Sequence, residues 1–240
     1  MGRPKSIPIQ SESEFKSLLK TLASDIVNAH IHWQMFKDLR RLLADYPDVA
    51  NATPTFWGST RLAHRSAALS ALARAFDKHS DALHLHSWLL TIREHPAYFA
   101  PDALLKRYPN NLFAHMIARD AKPPDLAVLS ADIELCSRCD PDVDALVRVR
   151  DSALAHRDGS LAAQGADARH PALTDDQVER LLTRALAIFN RYCTLFAAES
   201  YGTGTSGQKD VEQVFLCLQR DLARQSADAG AQAAHRRGDP

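Results

Sequence analysis

The sequence lacks the features of an exported or membrane-spanning chain. Its first residues, MGRPKSIPIQSESEF, are polar and contain no apolar segment of the kind found in a secretory signal. No stretch approaches the roughly 18 consecutive apolar residues that favour a membrane helix. The sequence has four cysteines, and nothing in it indicates an oxidising compartment in which they would pair. We therefore expect a cytoplasmic protein with no membrane contact.

The chain also lacks an excess of charge of either sign. Its 29 Lys and Arg residues balance 29 Asp and Glu residues, so no overall field draws it toward nucleic acid or anionic lipid. Any RNA binding must therefore depend on a local basic patch. Hydrophobic residues make up 45% of the 240 positions, which is enough for one substantial core.

What the sequence does contain is helical periodicity, without a convincing strand or repeat. Apolar residues recur every three or four positions, as in Phe15, Leu18, Leu19, Leu22, Ile26, Ala29, Trp33 and Phe36. The same pattern predicts helices over 57–76, 83–92, 126–139, 141–157, 174–196 and 209–226, with short helices near 102–107 and 111–119. We predict an all-α, antiparallel helical bundle with short helical decorations. Its predicted parts are a flexible N-terminus (1–11), the bundle (12–200), a C-terminal helix (201–226) and a disordered tail (227–240).

Several helix boundaries are marked by local signals. Asp140-Pro141 predicts a helix start, because Asp caps helix N-termini and Pro fits the first helical position. Thr174 and Gln177 have the spacing of a capping box. Pro96 should end the helix that precedes it.

The segment VRVRDSALAHRDG (147–159) contains the main candidate site. Arg150 lies within an apolar helical stripe, where an uncompensated guanidinium would be very costly. It must therefore meet a charged partner, a wet cleft or a subunit interface. On an ideal helix, His156 lies roughly 9 Å from Arg150 along the axis and about 120° around it, so the two do not share a face. The alternative is an Arg paired with a carboxylate and an exposed His near a helix end.

The Arg-Asp-x4-His pattern of residues 150–156 resembles the signature of the HEPN superfamily. The stretch ALARAFDKHSDALHLHSWL (71–89) is similar to the AbiU-like abortive-infection branch of that superfamily. That branch carries an alanine-rich helix ending in Arg-x-x-Asp, then a short break and another helix. The resemblance covers roughly residues 12–200, mostly as helix pattern.

The resemblance implies a metal-independent endoribonuclease that acts as a toxin or phage-defence effector. HEPN proteins are commonly dimers whose motif helices face one another, and many cleave RNA with its own 2′-hydroxyl as nucleophile. His156 would then be the general acid or base, Arg150 would stabilise charge on the phosphate, and Asp151 would orient one of them. Arg148 and Arg157 would bind the RNA backbone. The expected partners are RNA and a second copy, with an antitoxin protein as a further candidate, and no cofactor is expected.

Two alternatives stay open at this stage. The chain could be a non-catalytic HEPN-type dimerisation module that binds RNA or a protein partner through the same residues. Arg74 and His79 also have the loose spacing of the motif. Since Arg74 points away from the apolar stripe of its helix, we predict a solvated or interface residue there, with Asp77 as a supporting group behind the main site.

The sequence does not predict a metal site. Cys136 and Cys139 have the spacing of half a zinc site or a redox pair, but no second pair matches them. We predict core or half-buried thiols instead. The His84/His86 and His30/His32 pairs fall on different faces of their predicted helices, which disfavours chelation. The three tryptophans lie on apolar faces and are predicted to be core residues.

Overall fold

The computed structural model describes residues 5–119, 121–151, 172–204 and 210–237, and all regular structure within these ranges is helical. The prediction of an all-α fold is confirmed. None of the helices in the described ranges has the combination of length and apolarity needed to cross a bilayer. The helices are α1 (Glu12–Asp45), α2 (Pro47–Ala52), α3 (Pro54–Ala75), α4 (Leu85–Glu94), α5 (Pro101–Arg107), α6 (Ala114–Arg119), α7 (Leu126–Leu135), α8 (Pro141–Val149), α9 (Asp175–Ala197) and α10 (Asp210–Arg237), with a 3₁₀ turn at Pro96–Phe99.

The predicted helix starts are confirmed in their hydrogen bonds. The Asp140 carboxylate accepts the backbone N–H groups of Asp142 and Val143 at 3.0 and 3.1 Å, ahead of α8. Before α9, the Thr174 hydroxyl accepts the N–H of Gln177 at 3.2 Å, and the Gln177 side chain accepts the N–H of Thr174 at 3.0 Å. Both caps satisfy N–H groups that would otherwise have no partner at a helix end.

Three segments differ from their predicted form. The structure continues α10 as helix to Arg237 instead of ending it near 226, consistent with the high helix propensity of its alanine-rich last turns. Near the N-terminus, the Ile7 N–H donates to the buried Thr91 hydroxyl at 2.8 Å, which ties this segment to α4. Regular helix α8 ends at Val149, where Arg150 and Asp151 take up wider π-helical geometry. The rest of that predicted helix lies outside the described residues.

The chain divides into two compact units, which the sequence did not indicate. Unit 1 comprises residues 1–30 and 68–202, and unit 2 comprises residues 31–67 and 203–240. At the centre of unit 1, the buried Trp88 ring lies 6.0 Å from the Phe15 ring and 5.3 Å from the Phe189 ring. In unit 2, the rings of Trp57 and Phe215 are 4.6 Å apart within a cluster completed by Leu39, Leu42 and Val49. All three tryptophans are buried, as predicted.

Arg107 holds the C-terminal end of α9 in unit 1. Its guanidinium donates to the Glu12 carboxylate and to the backbone carbonyls of Tyr98 and Phe196, and lies 3.8 Å from the centroid of the Phe196 ring. The neighbouring Tyr108 hydroxyl donates to the carbonyl of Ala197 at 2.8 Å. The next residue, Ala198, has left-handed backbone angles (φ 51°, ψ 31°) and ends the helix.

Candidate functional site

Arg150 lies at the end of α8, beside a buried apolar stripe that includes Val143, Leu146 and Val147. Its side chain is 20% exposed. Nη1 donates to Oδ1 of Asp77, while Nη2 and Nε donate to Oδ1 of Asp151 at 2.8 and 3.1 Å. The prediction that this guanidinium must be compensated is therefore confirmed, and the compensating groups are two carboxylates.

The Asp77 carboxylate is oriented by backbone hydrogen bonds as well as by its contact with Arg150. It lies in the break between α3 and α4, where its Oδ1 atom accepts the backbone N–H of Lys78 at 2.6 Å and of His79 at 3.1 Å. A short polar side chain that bonds to its own following backbone is typical of a tight turn. The turn thus presents the carboxylate to Arg150 in a fixed orientation, in the supporting position that the sequence predicted for Asp77.

Lys78 completes the group by donating from Nζ to Oδ2 of Asp151. Asp77, Lys78, Arg150 and Asp151, here called the ion-pair quartet, alternate in sign and carry no net charge. Lys78 is not among the site residues predicted from the sequence. Its only signal is its place directly after Asp77, since the contact joins residues 73 positions apart.

The contacts within the quartet favour the ionised forms of Asp77, Asp151 and Arg150. Burial would raise the pKa of Asp77, but hydrogen bonds from Arg150 and from two backbone N–H groups outweigh it, so the pKa is lowered. For Asp151, burial again acts to raise the pKa, and the contacts with Lys78 and Arg150 lower it. Burial acts to lower the pKa of Arg150, but the two carboxylates raise it overall. Asp77, Asp151 and Arg150 are therefore charged at neutral pH.

Arg150 still has donors for a further anion. A guanidinium carries five N–H groups, and three are used by the carboxylates of the quartet. One N–H on each terminal nitrogen is left within the described surroundings. This fork geometry matches the oxygens of a phosphate or a carboxylate.

His84 fixes the other end of the turn that carries Asp77 and Lys78. It is fully buried, and its Nδ1 atom accepts the N–H of Ser87 at 3.2 Å, which caps α4. Nε2 lies 3.3 Å from the carbonyl of His79, so a neutral ring protonated on Nε2 satisfies both contacts. Burial lowers the pKa of His84 to about 4, against a smaller opposing effect of the His79 carbonyl.

The other predicted site residues lie in different settings. Arg148 is exposed and donates to Asp144 at 2.7 Å, four residues earlier in the same helix. Arg74 is exposed and pairs with Asp25 at 2.7 Å, which agrees with the prediction of a solvated residue. His156 and Arg157 lie outside the described residues. Among the predicted site residues in the described ranges, Arg150 and Asp151 are therefore the pair in contact.

No three His, Cys, Asp or Glu side chains converge as metal ligands in the described ranges. Cys136 is buried, whereas Cys139 is exposed, so the two thiols do not share an environment. Of the histidines judged unsuited to chelation, His32 in fact lies 2.9 Å, Nδ1 to Nδ1, from His64 in unit 2. No local pattern in the sequence indicates this pairing, which joins α1 to α3.

Comparison with known proteins identifies one family. The model of the HEPN family AbiU2 matches residues 12–214, which includes α1 to α9 and the ion-pair quartet. No curated protein and no solved structure matches the chain.

Proposed function

The chain belongs to the AbiU2 family of HEPN proteins, and from that premise we propose that it is a metal-independent endoribonuclease acting as a toxin or phage-defence effector. The family itself indicates a ribonuclease or an abortive-infection related function. The observation that supports the proposal best is the state of Arg150. It is ionised, oriented by two carboxylates and partly exposed, and among the described residues two of its N–H donors have no acceptor.

In the proposed reaction, the 2′-oxygen of the RNA attacks the adjacent phosphorus and the bond to the 5′-oxygen breaks. The products are a 2′,3′-cyclic phosphate and a 5′-hydroxyl. His156 takes the proton from the 2′-hydroxyl while water protonates the leaving 5′-oxygen, or it protonates that oxygen while water accepts the proton of the 2′-hydroxyl. An imidazole is suited to either transfer at neutral pH. Arg150 binds the phosphate oxygens as negative charge develops on them. Asp151 orients Arg150, and Arg148 and Arg157 bind the backbone.

The ion-pair quartet suits this role because it is electrically neutral. A carboxylate next to a phosphate-binding Arg would by itself repel the substrate. Lys78 offsets Asp151 and Arg150 offsets Asp77, so the carboxylates fix the guanidinium without leaving net negative charge at the site. A homodimer is part of the proposal, since two copies of a motif helix can supply Arg150 and His156 to one cleft.

A second candidate function is a non-catalytic module that binds RNA or a protein partner. The observation that favours it is that every nitrogen of Arg150 already bonds to a carboxylate, as in a purely structural ion pair.

RNA cleavage by four full-length proteins tests the proposal: wild type, Arg150→Ala, His156→Ala and the control Arg74→Ala. We expect each of the first two substitutions to reduce the cleavage rate by about 10²–10⁴-fold, since general acid–base catalysis alone contributes that much. The control variant removes an equally charged side chain whose ion pair is with Asp25, and its rate should stay near that of wild type. Circular dichroism checks that all four proteins fold.

Product chemistry and metal dependence complete this test. The upstream RNA product should end in a 2′,3′-cyclic phosphate, and the rate should be unchanged by EDTA. Cleavage that EDTA abolishes and one metal ion restores would contradict the mechanism. If all four proteins bind RNA equally and none cleaves it, the non-catalytic module is correct. An inactive Arg74→Ala beside an active Arg150→Ala would place the motif at residues 74–79.

A further inference from the structure

Lys78 is the member of the ion-pair quartet that the proposed reaction uses only to offset Asp151. Its ammonium group carries three N–H donors, and one of them bonds to Oδ2 of Asp151. Within the part of the chain that the structure describes, the other two have no acceptor. The Lys78 side chain is 13% exposed and the Asp151 side chain against which it lies is 44% exposed, so solvent reaches this contact. Lys78 therefore has both donors and access for a further anion.

Lys78 and Arg150 lie close together because both bond to the same carboxylate. Nη2 of Arg150 donates to Oδ1 of Asp151 at 2.8 Å, and Nζ of Lys78 donates to Oδ2. Two hydrogen bonds and the width of one carboxylate separate the two nitrogens, which are therefore at most about 7.5 Å apart. By the same reasoning, two donors that bind different oxygens of one phosphate can be up to about 8 Å apart. One phosphate group can thus contact both side chains.

Asp151 keeps these two cations side by side. An ammonium and a guanidinium at this distance would repel each other without a carboxylate between them. Asp151 joins Lys78, in the break between α3 and α4, to Arg150, at the end of α8. The two cations are thus held together before any ligand arrives, and donors that are already in place need little rearrangement when they bind an anion.

The ion-pair quartet has no net charge, so its affinity for an anion depends on N–H donors that point at the ligand. Arg150 offers two such donors among the described residues, and Lys78 offers two more. A guanidinium binds phosphate oxygens through its fixed fork, whereas an ammonium on a flexible stem can adjust to the position of the phosphate. The two side chains therefore suit one phosphate group better than either suits it alone.

We propose that Lys78 is a substrate-binding residue, which together with Arg150 binds one phosphate group of the RNA backbone. This inference rests on the proposed function for the identity of the ligand. The competing explanation is that Lys78 only neutralises Asp151, so that it affects RNA solely through that carboxylate. The two explanations differ in what Lys78 does when residue 151 carries no charge.

Binding of a mixed-sequence 2′-O-methyl RNA oligonucleotide tests the proposal. This probe keeps the phosphate backbone and has no 2′-hydroxyl, so the proposed reaction cannot cleave it. The full-length proteins to compare are wild type, Lys78→Met, Asp151→Asn and the double variant with both substitutions. Fluorescence anisotropy at several salt concentrations gives the dissociation constant of each protein and its salt dependence.

We expect Lys78→Met to weaken binding by about tenfold in the Asp151→Asn background, because a charge-assisted contact is lost. In the wild-type background the loss should be at least as large, since Asp151 also loses its counter-charge. In the Asp151→Asn background, the slope of log dissociation constant against log salt concentration should fall by about 0.7, the value for one phosphate contact on a single strand. If Lys78→Met has no effect in that background, Lys78 only neutralises Asp151 and the proposal is wrong.

Lys106→Met is the matched control, because it removes the same charge from an exposed lysine of α5 in unit 1. Its dissociation constant should stay within about twofold of wild type, as expected for an exposed charge that makes no phosphate contact. Equal losses for Lys106→Met and Lys78→Met would mean that the probe responds to total charge, which would overturn the proposal. Circular dichroism checks folding, and Lys78→Gln, which keeps a polar group beside Asp151, replaces Lys78→Met if that variant does not fold.

Cleavage of total RNA by the same proteins separates this inference from the proposed function. A wild-type protein that binds the probe and cleaves no RNA would contradict the ribonuclease reaction, while the binding comparison would still decide the role of Lys78. A wild-type protein that does not bind the probe would overturn the role of Lys78 as well.

Discussion

Arg107 and Arg150 are both arginines that are largely enclosed in unit 1, but they bind different kinds of partner. Arg107 is 9% exposed and donates to one carboxylate and two backbone carbonyls, with its guanidinium stacked over Phe196. Arg150 is 20% exposed and bonds to the carboxylates of Asp77 and Asp151. The two residues therefore differ in the hydrogen-bond acceptors that would lose their donor if each guanidinium were removed.

Backbone carbonyls cannot turn toward water unless the helix end moves with them. Removing Arg107 would leave the acceptors of Tyr98 and Phe196 without their donor inside the protein, which is costly. Removing Arg150 would leave Asp77 with two backbone N–H bonds and Asp151 with Lys78. Arg107 is therefore a residue of the fold, whereas Arg150 can serve a ligand without the fold depending on it.

The largest stability effect is expected for Arg107→Ala. The substitution should lower the free energy of unfolding by about 3 kcal/mol, because it breaks an enclosed ion pair and leaves two carbonyls unsatisfied. Urea unfolding followed by circular dichroism measures this. RNA cleavage per folded molecule should stay near the wild-type rate. A loss below about 1 kcal/mol would contradict the conclusion that the fold depends on Arg107 more than on Arg150.

We expect low pH to destabilise the protein at the turn beside Arg150, because His84 binds a proton more readily in the unfolded state. In the folded state its pKa is about 4, while the unfolded value is 6.5, so the unfolded state binds the proton more readily between these values. Stability is therefore complete above pH 6.5 and falls as the pH drops toward 4. The loss from this one group is on the order of 2–3 kcal/mol by pH 4.5.

The control for this effect is His84→Asn, which keeps a cap for α4 and does not titrate. Wild type should lose more stability than the variant between pH 7 and pH 4.5 in urea unfolding. Asp77 and Asp151, with lowered pKa values, begin to lose their contribution only as the pH falls below about 4, so the two effects separate. Parallel curves for the two proteins would show that His84 is not the titrating group.

The smallest stability effect is expected for Arg150→Met, which keeps the aliphatic length of the side chain. The free energy of unfolding should change by about 1 kcal/mol or less, since Asp77 keeps its two backbone N–H bonds and Lys78 still neutralises Asp151. RNA cleavage should nevertheless be lost. A destabilisation above about 3 kcal/mol would instead make Arg150 a structural residue like Arg107.

The sequence predicted those parts of the fold that depend on neighbours in the chain. The caps at Asp140 and Thr174 are bonds between residues two or three positions apart, and both were predicted correctly. The apolar stripe that borders Arg150 was also clear, because burial repeats with the helical period. From that stripe followed the need for a partner at Arg150.

What the sequence could not predict depends on contacts between distant residues. Nothing near Lys78 indicates that it meets Asp151, and nothing near Arg107 indicates that it meets Glu12. The length of α10 was underestimated because polar residues and Gly230 obscured the helix propensity of its alanines. The roles of His156 and Arg157 stay predictions, as both residues lie outside the described ranges.

The end of α9 shows that contacts from outside a helix can determine where the helix ends. Helices commonly end on a glycine in the left-handed conformation, but here Ala198 adopts it, at a cost of about 1–2 kcal/mol. Arg107 and Tyr108 bind the carbonyls of Phe196 and Ala197 from outside the helix. Contacts with distant residues of the folded chain therefore determine this helix end. The residues at the helix end do not determine it by themselves. In an isolated peptide spanning this region, we expect the helix to continue beyond Ala197.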